Sequence, residues 1–153
     1  MKIQEKHIVA LIVGICYFVF PATGYGTGTP LINHLLFPLS HGNIFHILGN
    51  LLCLLLLKGE LFLVPALMIN FVCSYLPVWS IYGKITTTMG MSGILFAIVG
   101  IKYGKYGSLK TFCKNVCPFA FGMIVLPHIN WCIHAYCAMA GYIYGYIWKT
   151  FKH

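Results

Sequence analysis

Three short stretches hold the side chains best equipped for chemistry. HGNIFHILGN, from residue 41 to 50, contains His41, His46 and Asn50. TTTMGMSG sets Ser92 between Gly90 and Gly93, and a third stretch carries His134 with Cys137, Gly141 and Gly145 after it. An alcohol, imidazoles and a carboxamide are the parts of a nucleophilic acyl-transfer site. A base takes the proton of the alcohol, and N–H donors stabilise the oxyanion that forms. His46 and Asn50 are four residues apart and share one face of a helix. Cys137, Gly141 and Gly145 fall at offsets of three, seven and eleven from His134. They put small side chains on its face and let another backbone come close. Taken singly, each residue has a plainer explanation. Serine in an apolar helix bonds back to its own backbone, a lone histidine bridges helices, and glycine stripes pack.

What must position these residues is a set of apolar helices. Of the 153 residues 59% are hydrophobic and 8% charged, with mean hydropathy +0.85. A water-soluble domain carries about a quarter charged residues, so the composition points to an integral membrane protein of one domain, residues 1–153. All ten cationic side chains are Lys, the only acids are Glu5 and Glu60, and Asp is absent. A net charge of +8 would suit nucleic acid, but the lysines are scattered between apolar runs rather than gathered on a polar face. No nucleic-acid partner is expected. The seven cysteines are an odd number without zinc spacing and read as small buried apolar groups.

Six stretches approach the length of roughly 20 apolar residues that a crossing needs: 7–22, 41–57, 61–80, 91–107, 111–127 and 131–148. Pro21 to Pro30 reads as a loop or re-entrant segment, and KYGKYGSLK at 102–110 as a break. Lys2 and Lys6 before the first run, with PATG behind it, imitate a secretory signal, but five further spans follow. With the N-terminus inside, nine lysines (2, 6, 58, 102, 105, 110, 114, 149 and 152) face the cytoplasm and only Lys84 faces out. That fixes an N-in, C-in orientation. Trp79, Tyr82 and Trp131 at the outer ends, and Tyr103, Tyr106 and Trp148 at the inner ends, fit interfacial belts.

Counting from the inner lysines at about 1.5 Å per residue, Asn50, Ser92, His46 and His134 lie roughly 12, 15, 18 and 22 Å up. All four fall in the middle-to-outer layer of a hydrocarbon core about 30 Å thick. One depth on three helices predicts one site.

The three motifs together resemble the rhomboid intramembrane serine proteases. His41, His46 and Asn50 are similar to the H-x4-H-x3-N signature of that family, GMSG at 90–93 to its G-x-S-G, and His134 with Gly141 to its H-x6-G. Their order and the six-span count cover essentially the whole chain. The resemblance implies an all-α, six-transmembrane-helix bundle with a Ser–His dyad. In it Ser92 is the nucleophile and His134 the general base. His46 and Asn50 are oxyanion donors, and His41 is an accessory residue. Phe96 stands where the family commonly has Tyr, and Cys137 where it has Gly. The Trp-Arg pair of its first external loop is absent. The family also suggests span five, with Pro118, as a lateral gate; a tolerated kink is the plainer reading.

A triad needs a carboxylate behind its histidine. None is at hand, since Glu5 and Glu60 belong to the far side. Gly93 and Ala97 against Gly141 and Gly145 form small-xxx-small pairs that bring spans four and six together. The expected partners are transmembrane protein substrates and the lipid bilayer, at a bacterial cytoplasmic membrane, without cofactor or metal. Two other readings compete. One is a rhomboid-like module that binds membrane proteins without cutting them. The other is a haem protein ligated by His46 and His134, which leaves GMSG and Asn50 unexplained.

Overall fold

The computed structural model describes residues 4–19, 23–26, 28–79, 87–125 and 129–151. Lys2, Pro21, Tyr82, Lys84 and Lys152 lie outside them. All regular structure among the described residues is helical, so the chain is an all-α protein: α1 (Glu5–Val19), α2 (Leu31–Leu36), α3 (Ile44–Leu56), α4 (Leu63–Cys73), α5 (Ser92–Tyr106), α6 (Leu109–Asn115), α7 (Cys117–Gly122) and α8 (Trp131–Phe151). The one extended feature is an isolated antiparallel bridge between Tyr25 and Thr88.

Each of the six apolar stretches holds a helix; the helices in the first five are shorter than their runs, whereas α8 extends three residues past the sixth. α3 starts at Ile44 because the Asn43 side chain accepts the His46 N–H and caps it. His41 therefore stands in the preceding turn, not in the helix as expected. The fifth stretch is split into α6 and α7 around Val116, with Pro118 in the first turn of α7, where its missing N–H costs no hydrogen bond. α4 has 11 residues, about 16 Å of rise. Among the described residues no single helix is long and apolar enough to cross a membrane; α2 with its 3₁₀ extension and α3 qualify only as a pair bent by 76°. α8 has 21 residues, but its Tyr, Gly and His content dilutes its hydropathy.

The centre of the fold is the pairing of α5 with α8. α5 buries Gly93, Ala97, Gly100 and Gly104, and α8 buries His134, Cys137, Ala138, Gly141 and Gly145. A Cβ on Gly141 would run into the Ala97 carbonyl, one on Gly145 into Ile101, one on Gly100 into Ala138, and one on Gly104 into Tyr142. The α5 half of the contact is thus Ala97, Gly100 and Gly104. Gly93, assigned to it from sequence, lies closest to Asn70 of α4 and meets α8 only through the Ile133 side chain, not through backbone. Without these small residues the backbones could not touch. Gly141→Val is expected to destabilise the protein by about 1–3 kcal/mol through overpacking, read as an earlier transition in chemical denaturation; an unchanged midpoint would count against backbone contact here.

α4 packs against α5 and α8, α1 against α3, and α7 against α8. The lysines tie one end together. Lys6 Nζ donates to Leu55 O (2.7 Å) and Leu57 O (3.0 Å), and Lys102 Nζ to Lys58 O. Lys105 pairs with Glu60 at 3.1 Å and lies over the Phe62 and Tyr106 rings. Many large apolar side chains face outward, among them Phe18, Phe45, Met68, Phe119 and Ile143. Of the cysteines, 16, 73, 132 and 137 are buried, but 53 and 113 are exposed, which corrects a uniformly buried set.

Candidate active site

Ser92 is the first residue of α5, and its approach is built by glycine. Gly90 has φ +102°, a conformation that favours glycine, and its N–H donates to Phe37 O at 2.9 Å. Met91 then leads into the helix without a side-chain cap. The first N–H groups of α5 have no carbonyl of their own helix to meet, and they carry its positive dipole end. Ser92 stands among them, half-buried.

From α8, His134 turns inward at the level of Ser92. Its Nε2 lies 2.7 Å from Ser92 Oγ. Phe96, one turn along α5 from Ser92, stacks on the imidazole with ring centres 4.8 Å apart and planes 26° from parallel. The pairing comes directly from the glycine contact, because Ala97 against Gly141 sets the helix separation. If Ser92 donates, His134 carries its proton on Nδ1. That atom is buried and has no hydrogen-bond partner among the described residues. Glu60, held by Lys105 and Tyr106, belongs to the far end of α5, about 20 Å of helix from Ser92. Glu5 starts α1, next to the Lys6 that ties down the α3 C-terminus. The arrangement is a dyad without a carboxylate.

His46 and Asn50 approach from α3. A Cβ on Gly90 would sit 2.6 Å from His46 Cε1, 2.7 Å from His46 Nε2 and 3.3 Å from Asn50 Nδ2. Both nitrogens therefore converge on the backbone two residues before Ser92. Asn50 Nδ2 is 3.0 Å from His41 Nε2, and the His41 and His46 rings meet edge to face at 5.0 Å. The carboxamide has two N–H groups. With one given to His41, the other is free to serve an oxyanion, and its direction is set.

Several contributors were not read from the sequence. Asn70 of α4 is fully buried beneath the dyad, against Gly93 and within 3.7 Å of Cys137 Sγ. Asn130, just before α8, accepts the Ile133 N–H and donates to Thr88 Oγ1 (2.8 Å) and Tyr25 OH (3.2 Å). An Asn directly before a periodic apolar run is a helix-start signal, so its capping half was legible. A second His–Ser contact joins His34 Nδ1 to Ser74 Oγ at 2.8 Å. There the hydroxyl donates to Phe71 O at 2.6 Å, so the imidazole is the donor. That polarity pins α2 to the end of α4 and activates no nucleophile.

No group of three or more His, Cys, Asp or Glu side chains with metal-binding geometry occurs among the described residues. No protein-family model, curated protein or solved structure matches the chain.

Proposed function

We propose that this protein is an intramembrane serine endopeptidase of the rhomboid type, cutting peptide bonds in or near transmembrane segments of other proteins. The observation that carries the reading is the 2.7 Å contact between Ser92 Oγ and His134 Nε2 at the start of a helix. His46 and Asn50 nitrogens lie beside the lead-in backbone. In this reading the Ser92 oxygen attacks the scissile carbonyl while its proton passes to His134 Nε2. The oxyanion accepts hydrogen bonds from His46, Asn50 and the first N–H groups of α5. His134 then protonates the departing amine, and a water, deprotonated by the same imidazole, hydrolyses the acyl-enzyme. A neutral surrounding in place of the usual carboxylate leaves Phe96 and the packed helices to hold the ring.

The membrane setting, with six crossings and both termini on the cytoplasmic side of a bacterial membrane, is part of the same proposal. It is supported by the scarcity of charge and the outward-facing apolar side chains. It is also supported by Lys6, Lys58, Lys102 and Lys105 meeting at one end, as the bias toward cytoplasmic lysine requires. Short α4 is followed by the apolar stretch Leu76–Pro77–Val78–Trp79, which extends its hydrophobic length beyond the helical part, and local bilayer thinning accommodates the remainder.

The test is cleavage of a purified single-span reporter in liposomes, with the cut mapped by mass spectrometry. Wild-type protein is expected to cut within or beside the span. Absence of cleavage, or equal cleavage by Ser92→Ala, returns the chain to a binding role. A helical substrate hides its amides in its own hydrogen bonds, so it must unwind to be cut. Replacing Gly or Pro near the cleaved bond by Leu and Ala is expected to slow the reaction; an unaffected rate would argue against local unwinding.

A further inference from the structure

Two helices must start in register for Ser92 and His134 to meet, and one side chain touches the lead-in of both. Asn130 is 5% exposed. Its Oδ1 accepts the Ile133 N–H at 3.3 Å, one residue before His134, and so caps α8. Its Nδ2 donates to Thr88 Oγ1 at 2.8 Å, four residues before Ser92. The same Nδ2 reaches Tyr25 OH at 3.2 Å. Tyr25 in turn exchanges both backbone hydrogen bonds with Thr88, 2.9 and 2.8 Å, and that segment runs through Gly90 into Ser92.

We propose that Asn130 is a positioning residue for the dyad: its carboxamide locks the start of α8 to the segment that delivers Ser92, setting the approach of imidazole to alcohol. This rests on Ser92 and His134 being the reacting pair. The carboxamide is suited to the task because it both accepts and donates. The two functions are separable, since a serine at 130 still caps α8 but is too short to reach Thr88. The polar link is also buried, where no water competes and a misfit is not repaired.

The experiment measures, on the full chain in liposomes, the rate at which a fluorophosphonate labels Ser92, and kcat and KM for a single-span reporter. Asn130→Ser and Thr88→Val are each expected to slow labelling and kcat by about tenfold, in line with the cost of small misplacements, with KM unchanged. Thr88→Ser, which keeps the hydroxyl, restores most of the rate. The Asn130→Ser/Thr88→Val double variant is no slower than the worse single variant, because both cut the same link. Wild-type rates in Asn130→Ser and Thr88→Val overturn the inference while leaving the dyad standing, as do losses that multiply in the double variant. Failure of the wild-type protein to label at all overturns the reading of the dyad, and this inference falls with it.

Discussion

Ser92→Ala and His134→Ala are each expected to lower the cleavage rate of a single-span reporter by about 10⁴-fold or more, and the double variant to lower it no further. The reason is the shared proton. With Ser92 Oγ 2.7 Å from His134 Nε2, the alcohol is a useful nucleophile only while that nitrogen can take its hydrogen, so removing either partner removes the same step. Among the described residues no second base stands behind His134, and the protein's two carboxylates belong to the opposite end, so no substitute relay rescues the imidazole variant. Product formation followed by mass spectrometry measures the three rates. Losses that multiply would mean that the two residues act in separate steps.

The second large effect falls on Asn50. Asn50→Ala is expected to reduce kcat by about 10²–10³-fold with little change in KM, the usual cost of losing one oxyanion donor. Its Nδ2 converges with His46 Nε2 on the backbone before Ser92, where the proposed mechanism develops negative charge only in the transition state. His41→Ala should give a smaller loss of the same kind. His41 holds the Asn50 amide at 3.0 Å, so the variant leaves the donor present but unaimed. Steady-state kinetics with the reporter separates the cases; a rise in KM at constant kcat would identify Asn50 as a ground-state binding group instead.

The elements that apolar composition controls were the legible ones. Runs rich in Leu, Ile and Val located α1, α3, α4 and α5, an Ala-, Ile- and aromatic-rich run located α8, and the small residues after His134 announced a close helix contact. Ser92 and His134 stood out because polar groups in such runs need a reason. What escaped was decided by tertiary contact. α2 is six residues after a proline, too short to show a period. The true α5 partners, Gly100 and Gly104, look no different in sequence from Gly93, and only the rotation of α5 against α8 selects them. Asn70 and the Thr88–Tyr25 bridge depend on residues distant in the chain, so nothing local marks them. The split of the fifth run into α6 and α7 had signals in the sequence, since Lys114, Asn115 and Pro118 stand at the break.

The touching backbones of α5 and α8 have a consequence for control. Two helices seated carbonyl against glycine have no soft spacer of side chains to compress or relax, so the alcohol and imidazole they carry cannot be drawn apart as a means of switching off. If Ser92 and His134 are the reacting pair proposed above, a chain built this way keeps that pair assembled. On the proposed function, control would then fall on what reaches the pair, by rationing the arrival of water or of an unwound strand.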